Sequence, residues 1–414
     1  MEVLLALSLT AFVMLLGFFG NLIFKKTDIP SVLWLMLFGL LLGPLTGIVE
    51  PSFFMSVSQI FSALAIIIIL FDGGLYLDIY KLFSEFPRSM TLAITGFLFT
   101  MAATVAIMAA FGYSLLIGIL MGAIIGGTCS PTVITIVKKL KGIGEETKTI
   151  IDLETSLTDV FSIVIAIAAI NTVARGVDVG GALQFLAGGF SIGAMAGIIT
   201  GILWLPAMRK LVNFDFSYVV TLAMLFLLYS GTEALGGNGA MACLIFGVVL
   251  ANGRKIYGMI KFENMAYEID ETTKGFHSLI NFFMTTFFFV YLGLVVTIQN
   301  VNLIAIGVLL AVASLFVRYG AMWITVYKGK FSELEKKTIW MLFPKGLTAA
   351  VLAYLPISMK VPGTENFAEI VFTVIITTMV IATVGVAIIE RKYSPKDKRV
   401  IKQVKVEENK LGVK

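Results

Sequence analysis

Charge is what this chain has least of. Only 14% of its 414 residues are Asp, Glu, Lys or Arg, 58% are hydrophobic, and the mean hydropathy is +0.96. That balance excludes a water-soluble domain and leaves a polytopic membrane protein. Cysteine is nearly missing: Cys129 and Cys243 both sit inside apolar segments, which excludes a disulfide framework. Histidine is reduced to His277, at the edge of an apolar run, where it reads as an interfacial residue rather than a ligand or pH sensor. Long polar connections are absent as well. The longest, about Gly253 to Gly275, is too short to be a domain, so function must reside in or between the spans. An intramembrane hydrolase would need two facing aspartates, or a serine with a membrane base; one central Asp and an edge His do not meet that need, so an enzyme is not expected.

What is present is a series of apolar windows of spanning length. Thirteen are expected, at 3 to 24, 31 to 49, 55 to 77, 90 to 112, 114 to 137, 150 to 173, 182 to 206, 216 to 234, 238 to 253, 276 to 298, 301 to 326, 338 to 358 and 366 to 389. The first is long enough to span and ends in Lys25 and Lys26, a topogenic anchor rather than a cleaved signal. Positive charge alternates across successive loops. One set holds Lys25 and Lys26; Lys81 and Arg88; Lys138, Lys139, Lys141 and Lys148; Arg209 and Lys210; Arg254, Lys255 and Lys261; and Lys328, Lys330, Lys336 and Lys337. The other set holds only Arg175 and Lys360. By the positive-inside rule this places the N-terminus outside and the C-terminus in the cytoplasm of a cell-membrane protein. The same rule accounts for the net charge of +5 without a nucleic-acid or other acidic partner. The lysine-rich stretch 391–414 reads as a solvated cytoplasmic tail.

Charges within spans cost about 2.5 to 3.5 kcal/mol each near mid-bilayer, so the few that occur need reasons. They are Asp72, Glu154, Asp159, Glu233, Arg318 and Lys345. Asp159 lies mid-span in LETSLTDVFSIV, with Thr155 and Ser156 four and three residues before it and so on its helical face. A carboxylate among hydroxyls suits a small monovalent cation or a proton. Glu154 is rotated off that face and has a partner available in Arg318 of SLFVRYGAMW, with which it reads as a fixed internal pair. Asp72, in LFDGGLYLDIY, belongs either to a cation-access funnel or to a solvated interface, and Glu233 reads as interfacial. The many Met and Phe residues read as packing or lipid-facing groups.

Two spans are interrupted by Gly and Pro: the fifth at GAIIGGTCSPTVITIV and the twelfth at FPKGLTAAVLAYLP. Interrupted helices leave backbone groups unpaired, tolerable only inside protein or along a cavity, and a pair of them points to a transporter binding site. Lys345 sits in the second break, where a cation can neutralise the carbonyl end of a half-helix. No repeat is visible in the sequence itself.

The series LFDGGL, GGTCSPTVI, LETSLTD, LFVRY and FPKGLTAAVLA, in that order and span placement, resembles the monovalent cation:proton antiporter superfamily in its sodium/proton exchanger (NhaP-like) branch, over nearly the whole membrane region. The resemblance implies an all-α inverted-repeat fold of thirteen helices in which the fifth and twelfth spans cross at unwound centres, and a homodimer. It implies core transport helices at 90–175 and 299–390 moving against interface helices at 1–89 and 176–298. Asp159 matches the family's ion-binding and proton-carrying aspartate, Glu154 and Arg318 its core ion pair, and Lys345 stands where an arginine is usual. Two positions depart. Thr158 replaces the usual Asn or Asp, and Thr128, Cys129, Ser130, Pro131 replaces Thr-Asp-Pro, so the second coordinating acid is missing.

The expected function is exchange of a monovalent cation for H+ without a cofactor. Na+ is expected first, with Li+, bound at Asp159 by Thr155, Ser156 and the Thr128 to Ser130 stretch; K+/H+ exchange, or an organic-solute transporter of the same fold, is the alternative. One titrating acid per site implies electroneutral exchange.

Overall fold

The structure, a computed structural model, describes residues 11–20, 22–23, 29–47, 51–76, 79–140, 142–175, 179–211, 214, 217–259, 271–296, 300–327 and 329–393. Lys25, Lys26, Lys141, Lys261, Lys328, the start of the first span and the tail from 394 lie outside the described residues.

Among the described residues the regular structure is helical, with no strand. The elements are α1 (Ala11–Gly20), α2 (Ser31–Leu40, continuing as a π segment Leu41–Leu45), α3 (Pro51–Tyr76), α4 (Ile79–Ala110), α5 (Leu115–Gly126), α6 (Ser130–Lys139) and α7 (Glu145–Arg175). They continue with α8 (Val179–Leu211), α9 (Ser217–Ala234), α10 (Gly239–Ala251), α11 (Gly253–Met259), α12 (Glu271–Val295), α13 (Val301–Val326), α14 (Glu333–Met341), α15 (Leu347–Ser358) and α16 (Phe367–Tyr393). Among the described residues, seven stretches are long and apolar enough to cross a bilayer, and six more apolar helices are shorter. The π segment coincides with Pro44, whose missing N–H and ring oblige the chain to widen its turn.

The helices pack as two groups. In one, α4 lies against α5, α7 and α13, and α13 against α16; in the other, α2 lies on α12 and α10 on α3 and α8. The second group is drawn together by glycines. A Cβ on Gly39 of α2 would strike the Val290 carbonyl of α12, and one on Gly293 of α12 would strike the Met36 carbonyl of α2. The same reciprocal pattern joins Gly74 of α3, facing the Leu244 carbonyl, to Gly247 of α10, facing the Phe71 carbonyl. Each contact reaches the carbonyl three residues before the opposing glycine, so one arrangement occurs twice, and LFGLLLG (37–43) aligns with IFGVVLA (245–251). Small residues of this kind let helix backbones touch where lipid offers no hydrophobic drive for association. The repeat is invisible in the sequence because only the glycine spacing and general apolarity are shared.

Both interruptions expected from the sequence are present. The fifth span stops at Gly126 and resumes at Ser130, with Pro131 in the first turn of α6, where a missing N–H costs nothing. The twelfth span leaves α14 after Met341 and re-enters helix at Leu347. The breaks touch each other: Cys129 N donates to Pro344 O at 2.8 Å, and a Cβ on Gly346 would collide with Cys129 Sγ. Freed backbone donors are met by side chains, Thr128 N by Thr158 Oγ1 at 3.2 Å and Lys345 N by Thr378 Oγ1 at 3.1 Å.

Candidate functional site

The two breaks abut α7, and the residues singled out on that helix face in two directions. Glu154 and Asp159 are five residues apart, more than a full turn, so their side chains diverge.

Glu154 is fully buried and held by Arg318 in a two-pronged contact, Nη1 to Oε1 at 2.7 Å and Nη2 to Oε2 at 3.0 Å. The guanidinium also donates to the carbonyls of Ile339 (3.1 Å) and Leu342 (3.2 Å), at the end of α14 where helix C-terminal carbonyls lack partners. Thr128 Oγ1 adds a contact of 3.4 Å to Glu154 Oε1. One ion pair therefore ties α7, α13 and both breaks together. The Glu154 carboxylate does not line the cavity beside α7.

Asp159 does. It lines a cavity of about 420 Å³ that runs along α7 from Thr149 past Asp152 and Ser156, with Asp72 and Gly73 on α3, Ser278 and Asn281 on α12, and Cys129, Ser130 and Thr348 at the breaks. Ser130 Oγ donates to Asp159 Oδ2 at 2.7 Å, and Thr348, in the first turn after the second break, lines the same cavity. A carboxylate and neutral hydroxyls, without a cluster of three or more His, Cys, Asp or Glu among the described residues, make a hard, weakly charged oxygen set.

The remaining sequence candidates separate around this cavity. Ser156 lines it, although its hydroxyl donates to Asp152 O at 3.0 Å. Thr155 is not brought there: it is fully buried and donates to the same carbonyl at 3.0 Å. The cavity follows the stripe Asp152, Ser156, Asp159, and Thr155 falls on the other flank of Asp159. Thr158 is a backbone bridge, accepting from Thr128 N and donating to Thr155 O at 3.1 Å. Cys129 lines the cavity, yet its thiol lies 3.2 Å from Thr132 Oγ1 and packs on Gly346, so Ser130, not Cys129, occupies the place facing Asp159. Lys345 is buried, with Arg318, Glu154 and Asp159 as the charged groups around it. Asp72 is buried on the opposite wall, with Asn281 lining the same cavity. Glu233 is away from the site, where Oε1 accepts from Gly239 N at 2.8 Å and closes the turn into α10. His277 lies on α12.

Among the cavity residues that escaped the sequence reading are Asp152, Thr348 and Asn281. Asp152 carried a signal in its i, i+4, i+7 spacing with Ser156 and Asp159, and Thr348 in being a hydroxyl in the first turn after the second break. Asn281 carried none, because it reaches the site only through packing of α12 on α3.

A family model described as sodium/hydrogen exchanger, transmembrane, matches residues 8–392. Among curated proteins, the K(+)/H(+) antiporter NhaP2 of Shewanella baltica is 26% identical over 376 residues, a match covering 86% of this chain and 61% of that protein. The chain thus spans about three fifths of that relative's length. The Na(+)/H(+) antiporter 1 of Methanocaldococcus jannaschii is 24% identical over 377 residues, covering 85% of this chain and 83% of the relative. Among solved structures, the sodium proton antiporter MjNhaP1 from Methanocaldococcus jannaschii at pH 8 superposes with a TM-score of 0.74 at 22% identity, over 95% of this chain and 98% of that one. That likeness establishes the fold.

Proposed function

Because the chain belongs to the sodium/hydrogen exchanger family of transmembrane proteins, we propose that it is a secondary transporter exchanging a monovalent cation for H+ across the cell membrane. The observation that carries this reading is the division of labour on α7: Glu154 is locked to Arg318, while Asp159 opens on a cavity, hydrogen-bonded by Ser130 of the first break and with Thr348 of the second lining the same space. Cation and proton compete for the Asp159 carboxylate. Ionised, it takes the cation together with Ser130, Thr348 and Ser156; protonated, it releases it. The bare charged site is barred from crossing by its desolvation cost, which couples the two fluxes.

The seven long and six shorter apolar stretches are read as thirteen passes, N-terminus outside, with the doubled glycine contact as the trace of an inverted repeat and the touching breaks as its crossing point. In this reading 90–175 and 299–390 form the moving core, 1–89 and 176–298 the interface helices of a homodimer, and the core slides elevator-fashion past α3 and α12. The cavity between Asp159 and Asp72 lies on that sliding surface.

Na+ is the first reading of the cargo, with Li+ following it. K+ is favoured by one observation, the neutral Ser130 facing Asp159, since a weaker oxygen field discriminates less against a larger ion. Relatives named for each cation occur among the similar proteins. Everted vesicles carrying a pH-sensitive dye, challenged in turn with Na+, Li+ and K+, distinguish the readings. Loss of every cation response in Asp159→Asn is expected, and full retained exchange in that variant sinks the assignment.

A further inference from the structure

The helices that resume after the two breaks start in the same way. Cys129 is the N-cap of α6 and Gly346 the N-cap of α15; Val133 N donates to Cys129 O and Ala350 N to Gly346 O, each at 3.0 Å. A hydroxyl residue follows each cap within the first turn. Ser130 Oγ donates to Asp159 Oδ2 at 2.7 Å, and Thr348 lines the same cavity. A hydrogen-bonded helical turn moves as a unit, so the distance between the two caps governs the distance between the two hydroxyl residues.

What stands between the caps is one side chain. Cys129 is buried, and its N–H donates to Pro344 O at 2.8 Å. A Cβ on Gly346 would overlap both Sγ and Cβ of Cys129, whereas it would meet the Cys129 Cα at an ordinary 3.5 Å. The thiol is itself held, with Thr132 Oγ1 3.2 Å from Sγ. A contact packed this closely passes a displacement on rather than absorbing it.

We propose that the Cys129 side chain, seated on the bare Gly346, is a spacer that sets cation selectivity at Asp159, acting by position and not by touching the ion. The inference rests on the cation/proton exchange proposed above and names what tunes its cargo. A wider gap between Ser130 and Thr348 suits K+, and a narrower one Na+ and Li+, because the larger ion is served by oxygens set farther apart.

The test measures half-maximal concentrations and maximal rates for Na+ and K+ in everted vesicles carrying a pH-sensitive dye. Cys129→Gly should let the breaks close and favour Na+ over K+, and Gly346→Ala should part them and favour K+, each moving the ratio of half-maximal concentrations by about tenfold. Combining the two should bring the ratio back toward wild type, since a methyl at 346 then meets only the Cα of residue 129. Cys129→Ser, with a side chain of similar size, should keep the wild-type ratio whatever its rate. A ratio unmoved in Cys129→Gly, or no return in the combined variant, would overturn the proposal. So would a shift in Cys129→Ser as large as in Cys129→Gly, which would mark the thiol as an ion contact. Equal loss of rate for both cations is a merely structural effect and counts against the spacer too. If Gly346→Ala gives no monodisperse peak in size-exclusion chromatography, Cys129→Gly and Cys129→Ser decide. A wild type that answers no cation fails the exchange reading and the spacer with it; a responding wild type with an unmoved ratio fails the spacer alone.

Discussion

At the scale of single residues, two acids on one helix have opposite fates. Glu154 is saturated by Arg318, whose guanidinium also satisfies Ile339 and Leu342 carbonyls. Removing one partner of such a pair leaves an uncompensated buried charge, so Arg318→Ala should lower unfolding stability in detergent by about 3 to 5 kcal/mol. Urea titration of the variant against wild type checks this, and a loss under 1 kcal/mol would mean the pair is not structural. Asp159→Asn should behave oppositely, folding normally while losing cation binding. Both acids were legible in the sequence because a charge inside an apolar run demands a reason. The hydroxyls were legible only in part: spacing placed Ser156 on the right face, but could not tell that Thr155 and Thr158 serve backbone groups.

At the scale of elements, glycine decides which helices can touch. Gly74→Val would push α3 off α10 against the Leu244 carbonyl and should abolish a monodisperse peak in size-exclusion chromatography. Gly231 on α9 faces open space, and Gly231→Ala should instead stabilise by up to about 1 kcal/mol through helix propensity. The loops before α7 and α14 are joined by a single carboxylate. Glu335 Oε1 accepts from Gly144 N and Thr147 Oγ1, both at 3.0 Å, while Oε2 accepts from Ser332 N at 2.8 Å and its hydroxyl at 2.9 Å. Partial burial pushes this acid up, and the hydrogen bonds from Ser332, Gly144 and Thr147 outweigh it, leaving its pKa below the usual carboxylate value. A depressed pKa contributes stability that is present above the unfolded-state value and lost as pH falls through the folded one. Glu335→Gln should therefore lower the melting temperature at pH 7 and narrow the gap from wild type as the medium is acidified below about pH 4. A gap constant over that range would assign the effect to packing. None of this latch was legible beforehand, since Ser332 and Glu335 announce only a capping box, and their partners lie 188 residues or more away.

At the scale of the whole molecule, the helical class, the two interruptions and the apolar windows were readable from composition, proline and glycine. The packing of α2 on α12 and α3 on α10 was not, because reciprocal glycine contacts are relations between distant segments and leave no pattern in either one alone. The proposed exchange has a global signature: with Asp159 as the one carboxylate that trades cation for proton, one proton leaves for each cation, and an imposed membrane potential should not alter the rate or direction of exchange in proteoliposomes at fixed ion gradients. A potential-dependent rate would require a second mobile charge. The most direct measurement is proton release on binding, made by adding Na+, then K+, to weakly buffered purified protein near neutral pH while following a pH indicator. Competition at Asp159 predicts up to about one proton freed per site by the transported cation in the wild type, and none in Asp159→Asn. Cation binding without proton release, or release that survives Asp159→Asn, would contradict it.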